Sequence, residues 1–219
     1  MESELPSPFL TIRGQPIFFQ EDWSTGIGGG LWSTGLALAH YLKTEHAEKQ
    51  ARLDHLKVLE LGSGNGLLSV CLAAWGSVQS LVVTDLDDQH LQLIRKTLQA
   101  NHHILQKTDV HVVKHKWGAF EKLENKAWAK IDFDLIIGSD VAYREELYDP
   151  LIASLQYFAK TKTIVLLGVT MADTKDAFFD LLEKGGFRYE KMADHLIPEN
   201  FRGTTFGIFV IRRKAGNYT

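Results

Sequence analysis

A chain of 219 residues, 45% hydrophobic and 23% charged, holds enough apolar material for the core of one globular domain. Its formal net charge of −3 provides no general basic field, which argues against direct nucleic-acid binding. A single cysteine, Cys71, excludes an internal disulfide framework, and no signal peptide or membrane-length apolar run is visible, so the chain reads as soluble and cytoplasmic.

From Met1 to Pro8 the sequence is polar with two prolines and is expected to fray. Phe9–Ile12 and Ile17–Gln20, around Arg13-Gly14-Gln15, read as a short hairpin, so residues 1–30 form an extension ahead of a main domain over 31–219. Trp23–Gly30 is glycine-rich. A helix is expected from Leu31 to about Leu42, with Trp32, Leu36, Ala39 and Leu42 at near-helical spacing, followed by a charged, solvated stretch from Lys43 to His55.

Strands and helices then alternate. Strands are expected at Val58–Leu61, Ser80–Thr84, Val110–Val113, Phe133–Gly138 and Thr163–Gly168, with helices at Leu67–Trp75, Asp88–Asn101, Leu151–Phe158 and Asp176–Lys184. Gly185-Gly186 ends the last helix, and strands follow at Phe187–Lys191 and Thr205–Ile211. This alternation defines an α/β fold with a mainly parallel sheet, and its last two strands, with no helix between them, can pair antiparallel.

The chemistry concentrates in Val58-Leu59-Glu60-Leu61-Gly62-Ser63-Gly64-Asn65-Gly66-Leu67. A strand, a turn with three alternate glycines and a helix form the ligand cradle of an open α/β sheet, where glycine lets the backbone approach the ligand. A dinucleotide fingerprint needs a glycine at the sixth place, where Leu67 stands. Glu60, two residues before the first glycine, is expected to point at the ligand, and a carboxylate there suits a positively charged group better than a pyrophosphate. S-adenosylmethionine, with a sulfonium, an amino acid head group and no phosphate, fits that description.

Other candidates lie at strand ends. Asp85, nineteen residues after Gly66, stands where an acid takes ribose hydroxyls, while Asp87 reads as a helix cap. Trp117 can stack on an adenine or simply pack, and Trp32 has the same two readings. Asp140 and Tyr143 follow the fourth core strand and are expected to face the ligand, the other reading being a cap on the following helix. The histidines His102, His103, His111 and His115 show no metal-ligand spacing, so no metal is expected. No Gly-x-Ser-x-Gly element or Walker loop occurs.

Together these residues resemble the seven-β-strand S-adenosylmethionine-dependent methyltransferases, and more narrowly the family-16 protein-lysine methyltransferases. Gly29-Gly30-Leu31-Trp32 matches that group's glycine-led Leu-Trp motif, and Val58–Gly66 its Val-Leu-Glu-Leu-Gly-x-Gly-x-Gly. Asp85, Trp117-Gly118 and the Asp-x-x-Tyr of Asp140–Tyr143 match its acid after strand two, its Trp-Gly after strand three and its motif after strand four. The resemblance spans about Ile27 to Arg212.

The resemblance implies a Rossmann-like seven-stranded sheet of order 3-2-1-4-5-7-6, its strand seven antiparallel, with helices on both faces. It implies S-adenosylmethionine as cofactor, held by Trp32, Glu60, Gly62, Ser63, Gly64, Asn65, Gly66, Asp85, Leu86, Trp117 and Ser139, with Asp140 and Tyr143 as catalytic residues. The activity implied is methyl transfer to a lysine ε-amino group of a folded protein, of the elongation-factor or chaperone class. The segment Gly26–Leu31 is similar to members acting on elongation factor 1-alpha. A monomer is expected, since no coiled-coil pattern is present. Two other readings stay open on the sequence: a small-molecule methyltransferase with residues 9–30 as a lid, and a non-catalytic cofactor-fold module that binds a partner protein.

Overall fold

The structure, a computed structural model, describes residues 7–42, 55–76, 78–121, 123–203 and 205–215. The stretch from 43 to 54, within the charged segment noted above, lies outside the described residues.

A hairpin opens the chain, β1 (Leu10–Ile12) and β2 (Gln15–Ile17), turning at Arg13 and Gly14, both left-handed. Two central residues with φ > 0 make the tight turn that matches strand twist, so β2 starts two residues earlier than the hydrophobic run suggests. Leu10, Ile12 and Ile17 are buried in the core of the main body.

The remaining elements are α1 (Ser33–Tyr41), β3 (Leu56–Leu61), α2 (Leu67–Trp75), β4 (Val78–Asp85), α3 (Asp88–Ala100), the short α4 (His102–Leu105) and β5 (Asp109–Lys114). They continue with β6 (Leu135–Ser139), α5 (Tyr148–Phe158), β7 (Ile164–Thr170), α6 (Asp176–Lys184), β8 (Phe187–Lys191) and β9 (Phe206–Arg213). α2, α6 and β8 have the limits read from the sequence, and most other elements differ by one to three residues. Helix α5 begins three residues before the expected Leu151, with Pro150 in its first turn, where a missing N–H breaks no helical bond. Asp87 caps α3, accepting from the Gln89 amide at 2.7 Å, and its pKa is lowered mainly by that bond.

The main sheet runs β5-β4-β3-β6-β7-β9-β8. Numbered without the hairpin, this is 3-2-1-4-5-7-6. The pairs among β3 to β7 are parallel, and β9 runs antiparallel to both β7 and β8. Side chains alternate between two cores. Val58, Leu81 and Val83 join the face carrying α1, α2 and the hairpin, while Leu59, Leu61, Val82, Val165 and Leu167 join the face carrying α5 and α6. All five parallel strands therefore end along one edge, where the chain turns outward at Gly62, Asp85, His115, Asp140 and Met171.

Candidate active site at the carboxyl edge of the sheet

Gly62, Gly64 and Gly66 have φ of +66°, +64° and +83°, a left-handed conformation that L side chains avoid. Space is also closed at two of them. A Cβ on Gly62 would stand 2.8 Å from the Trp117 ring, and one on Gly64 would stand 2.4 Å from the Gly28 carbonyl oxygen. Trp117 thus leans on the first glycine of the loop. The segment Asp22–Gly30, two short 3-10 turns, is seated on the second.

That segment is held at three more points. Asn65 donates to the Gly30 carbonyl at 2.7 Å, and its side-chain oxygen accepts from the Leu67 amide at 3.1 Å. Asn65 therefore ties two pieces of backbone. Trp32 donates to the Ile27 carbonyl at 2.8 Å and stays 46% exposed, edge-on to Trp23. His90, in the first turn of α3, lies 3.2 Å from Asp85 Oδ1 and 3.0 Å from the Thr25 carbonyl. Both neighbours can only accept, so a neutral ring serves one of them and a doubly protonated ring serves both.

Asp85 is well occupied. Its Oδ1 accepts from the Leu86 amide at 2.8 Å and the Asp87 amide at 3.1 Å, beside His90, while Oδ2 accepts from the Gly64 amide at 2.8 Å. A carboxylate offers about four acceptor positions, so Oδ2 retains one for a further donor such as a ribose hydroxyl. Leu86 next to it is 53% exposed.

Glu60 is placed differently from the expectation that it points at the ligand. It is buried, and its carboxylate turns toward α2, where the Ser69 hydroxyl donates to it. Burial raises its pKa to about 7, opposed by the Ser69 and Ser63 hydroxyls and reinforced by Asp85. Ser63 Oγ lies close enough to favour the charged form, yet it is buried and completes no hydrogen bond. A lone apolar-looking strand with one acid could not reveal this turn of the side chain, which α2 packing sets.

Asp140 sits just past β6 with φ +51°, a left-handed conformation that costs a non-glycine residue free energy. Its amide donates to the Gly168 carbonyl at 2.9 Å. Oδ2 accepts from the Thr34 hydroxyl at 2.7 Å and the Thr34 amide at 3.3 Å, and Oδ1 accepts from the Thr170 hydroxyl at 2.8 Å. Burial raises its pKa, the two threonines oppose the rise, and Asp173 adds to it. Tyr143 is 38% exposed beside Asp140's loop, with Arg144 over its ring at 5.4 Å. Ser139, half-buried, faces Gly35 of α1. Thr34, Thr170 and His90 were not singled out in the sequence. Thr34 directly follows Trp32-Ser33 and Thr170 lies two residues past the expected strand end, so each had a weak positional signal at most.

An open, mainly parallel sheet with a glycine turn after its first strand, an acid after its second and a half-buried acid after its fourth is the arrangement of the Rossmann-like S-adenosylmethionine-dependent methyltransferases. Solved structures agree on the fold. A methyltransferase from Pyrococcus furiosus matches with a TM-score of 0.60 at 16% identity, over 93% of this chain and 91% of that one. A TehB-like S-adenosylmethionine-dependent methyltransferase from Corynebacterium glutamicum gives a TM-score of 0.58 at 18% identity, over 88% of this chain and 94% of that one. Residues 12–185 match the family model described as lysine methyltransferase, family 16, and the chain belongs to that family. It is similar to the protein N-lysine methyltransferase METTL21A of Mus musculus, 27% identical over 197 residues, covering 89% of this chain and 84% of that one. It is also similar to EEF1A lysine methyltransferase 3 of Xenopus tropicalis, 27% identical over 160 residues, covering 72% of this chain and 65% of that one.

The site fits the cofactor this family uses, S-adenosylmethionine. Three left-handed glycines bare the backbone of the loop, the buried Ser63 hydroxyl lacks a partner, and Asp85 Oδ2 keeps an acceptor position.

Proposed function

We propose that this protein methylates a lysine ε-amino group on a folded protein of the elongation-factor or chaperone class, with elongation factor 1-alpha the first candidate. The relatives' names support a protein lysine as acceptor and, in one case, elongation factor 1-alpha as substrate, and the observation that carries the chemistry is Asp140, a half-buried carboxylate held from two sides at the carboxyl edge of the sheet.

The glycine loop from Gly62 to Gly66, with Ser63 and Asn65 in its turn, would hold the methionine end, with Glu60 acting from beneath through α2. Asp85 and Leu86 would take the ribose, Trp117 the adenine, and Trp32 and Ser139 the flanks. When bound, S-adenosylmethionine supplies a methyl group made electrophilic by its sulfonium. An ordinary lysine has a pKa of about 10.4 and is mostly charged at pH 7. An anionic Asp140 favours that charged form, so it is a poor stand-alone base. Its role is to orient the amine by accepting one N–H, so that the nitrogen lone pair faces the methyl. Tyr143 walls the approach. The ammonium would first give one proton to water, and the neutral nitrogen would then take the methyl as the methyl–sulfur bond breaks and S-adenosylhomocysteine leaves, so that the methylated nitrogen keeps the positive charge.

Purified protein incubated with radiolabelled S-adenosylmethionine and an extract from cells lacking its gene tests this, beside an Asp140→Asn control. One labelled protein band, absent in the control, is the expected result. Label confined to small molecules would replace the reading with metabolite methylation, and cofactor binding with no transfer would favour a binding module. The site would act in the cytoplasm as a monomer.

A further inference from the structure

The carboxylate of Asp140 is aimed by two residues from distant parts of the chain. Thr34 lies in the first turn of α1, 106 positions before Asp140, and Thr170 ends β7, 30 positions after it. Thr34 is 1% exposed and has no freedom to swing away. A Cβ on Gly168 would stand 2.8 Å from Thr34 Cβ and 2.9 Å from its Oγ1, so β7 carries glycine where the threonine presses on it. The same Gly168 accepts the Asp140 amide at 2.9 Å. Thr34, Gly168 and Thr170 therefore enclose Asp140 and hold it in its left-handed conformation.

An acceptor count gives the consequence. Each carboxylate oxygen has two lone pairs. On Oδ2 both go to Thr34, one to its hydroxyl at 2.7 Å and one to its amide at 3.3 Å. On Oδ1 one goes to the Thr170 hydroxyl at 2.8 Å, and one remains. We infer that Thr34 and Thr170 are positioning residues that fix Asp140 so that a single directed acceptor, on Oδ1, is left for an N–H of the incoming amine. This rests on the role proposed for Asp140 and adds the device that gives it direction. Both hydroxyl protons are committed to the carboxylate, which favours its charged form and opposes the rise that burial causes. Asp173 is the charged group acting on it from the turn after β7, and it pushes the other way.

Threonine-to-valine changes remove each hydroxyl at nearly constant volume, and threonine-to-serine changes keep it. Thr34→Val, Thr170→Val and their serine counterparts would be compared by carboxyl-carbon NMR titration, with Asp140→Asn assigning the resonance. This arm needs no substrate. Asp140 is expected to titrate at higher pH in both valine variants and near its wild-type position in both serine variants. In the radiolabel assay with extract, the valine variants should lose about ten- to a hundred-fold in turnover, the loss of a hydrogen bond to a charged group. The acid limb of their rate profile should move to higher pH, and calorimetric cofactor affinity should stay within about two-fold. An unmoved Asp140 titration in the valine variants would overturn the inference, as would serine variants that behave like valine ones. An Asp140→Asn variant as active as wild type would instead retire the role of Asp140 itself.

Discussion

Replacing Gly64 with alanine tests whether the glycine loop is shaped by conformation alone or also by the segment resting on it. Two costs fall on this position. At φ +64° an L residue is disfavoured by about 1–2 kcal/mol. The new methyl would also stand 2.4 Å from the Gly28 carbonyl oxygen, and reaching ordinary contact requires roughly 1 Å of movement by one backbone or the other. Gly14 separates the two costs, having φ +76° with nothing within 4 Å of its virtual Cβ. Gly14→Ala should therefore lower the melting temperature by about 2–8 °C, at 2–4 °C per kcal/mol for a chain of this size. Its cofactor affinity should stay within about two-fold. Gly64→Ala should lose at least as much stability and also weaken S-adenosylmethionine binding by about ten-fold or more, a displacement worth about 1.4 kcal/mol. Scanning calorimetry and isothermal titration on both variants decide the matter. Cofactor binding by Gly64→Ala at wild-type strength, or equal binding losses in the two variants, would refute the steric argument.

Asp140→Asn should reduce turnover far more than cofactor affinity, and equal losses in both would remove it from the catalytic step. Asp85→Ala should raise the cofactor dissociation constant at least several-fold, and Trp117→Ala should do likewise through the lost wall against Gly62; equilibrium titration reads both. Two buried groups should shape stability against pH in opposite senses. Glu60 rises from 4.5 to about 7 on folding, so its contribution is full below its unfolded pKa and lost as pH climbs through 7. His115, wedged between Trp128 and Phe158, falls from 6.5 to about 4 through burial, so its contribution is full above its unfolded pKa and lost as pH drops through 4. Each is worth at most about 3 kcal/mol, and together they flatten the wild-type curve between about pH 4.5 and 6.5, the overlap of the two ranges. Glu60→Gln should expose a decline toward acid and His115→Phe a decline toward alkali. Parallel curves for wild type and both variants would contradict the assignment.

The succession of strands and helices was legible because most strands are apolar runs closed by a turn residue and separated from the next by a helix-period segment, whereas the sheet order came from the family resemblance, since apolar runs do not say which strands are neighbours. Helices α2 and α6 were bounded correctly, since glycine stands at one or both ends of each. The acids at strand ends were legible for the same reason, for topology alone sends Asp85 and Asp140 to one edge. What the sequence hid depends on register and packing across long separations. That Thr170 reaches Asp140 follows from β7 pairing with β6 so that Ser139 lies beside Gly168. That Glu60 turns to Ser69 follows from how α2 packs on β3. The contact of His90 with the Thr25 carbonyl was invisible because a backbone carbonyl carries no side-chain signal, and its contact with Asp85 depends on how α3 starts after β4.

Only five residues lie between Gly28, whose carbonyl rests on the glycine loop, and Thr34, which holds the Asp140 carboxylate. A tether that short transmits displacement with little slack. On the function proposed above, a shift of Gly28 forced by binding at the glycine loop would be felt at Thr34 and so at the aim of Asp140. The kinetic order expected on that proposal is a compulsory one, in which S-adenosylmethionine would bind first, the protein substrate would dock on a site already set, and S-adenosylhomocysteine would leave last.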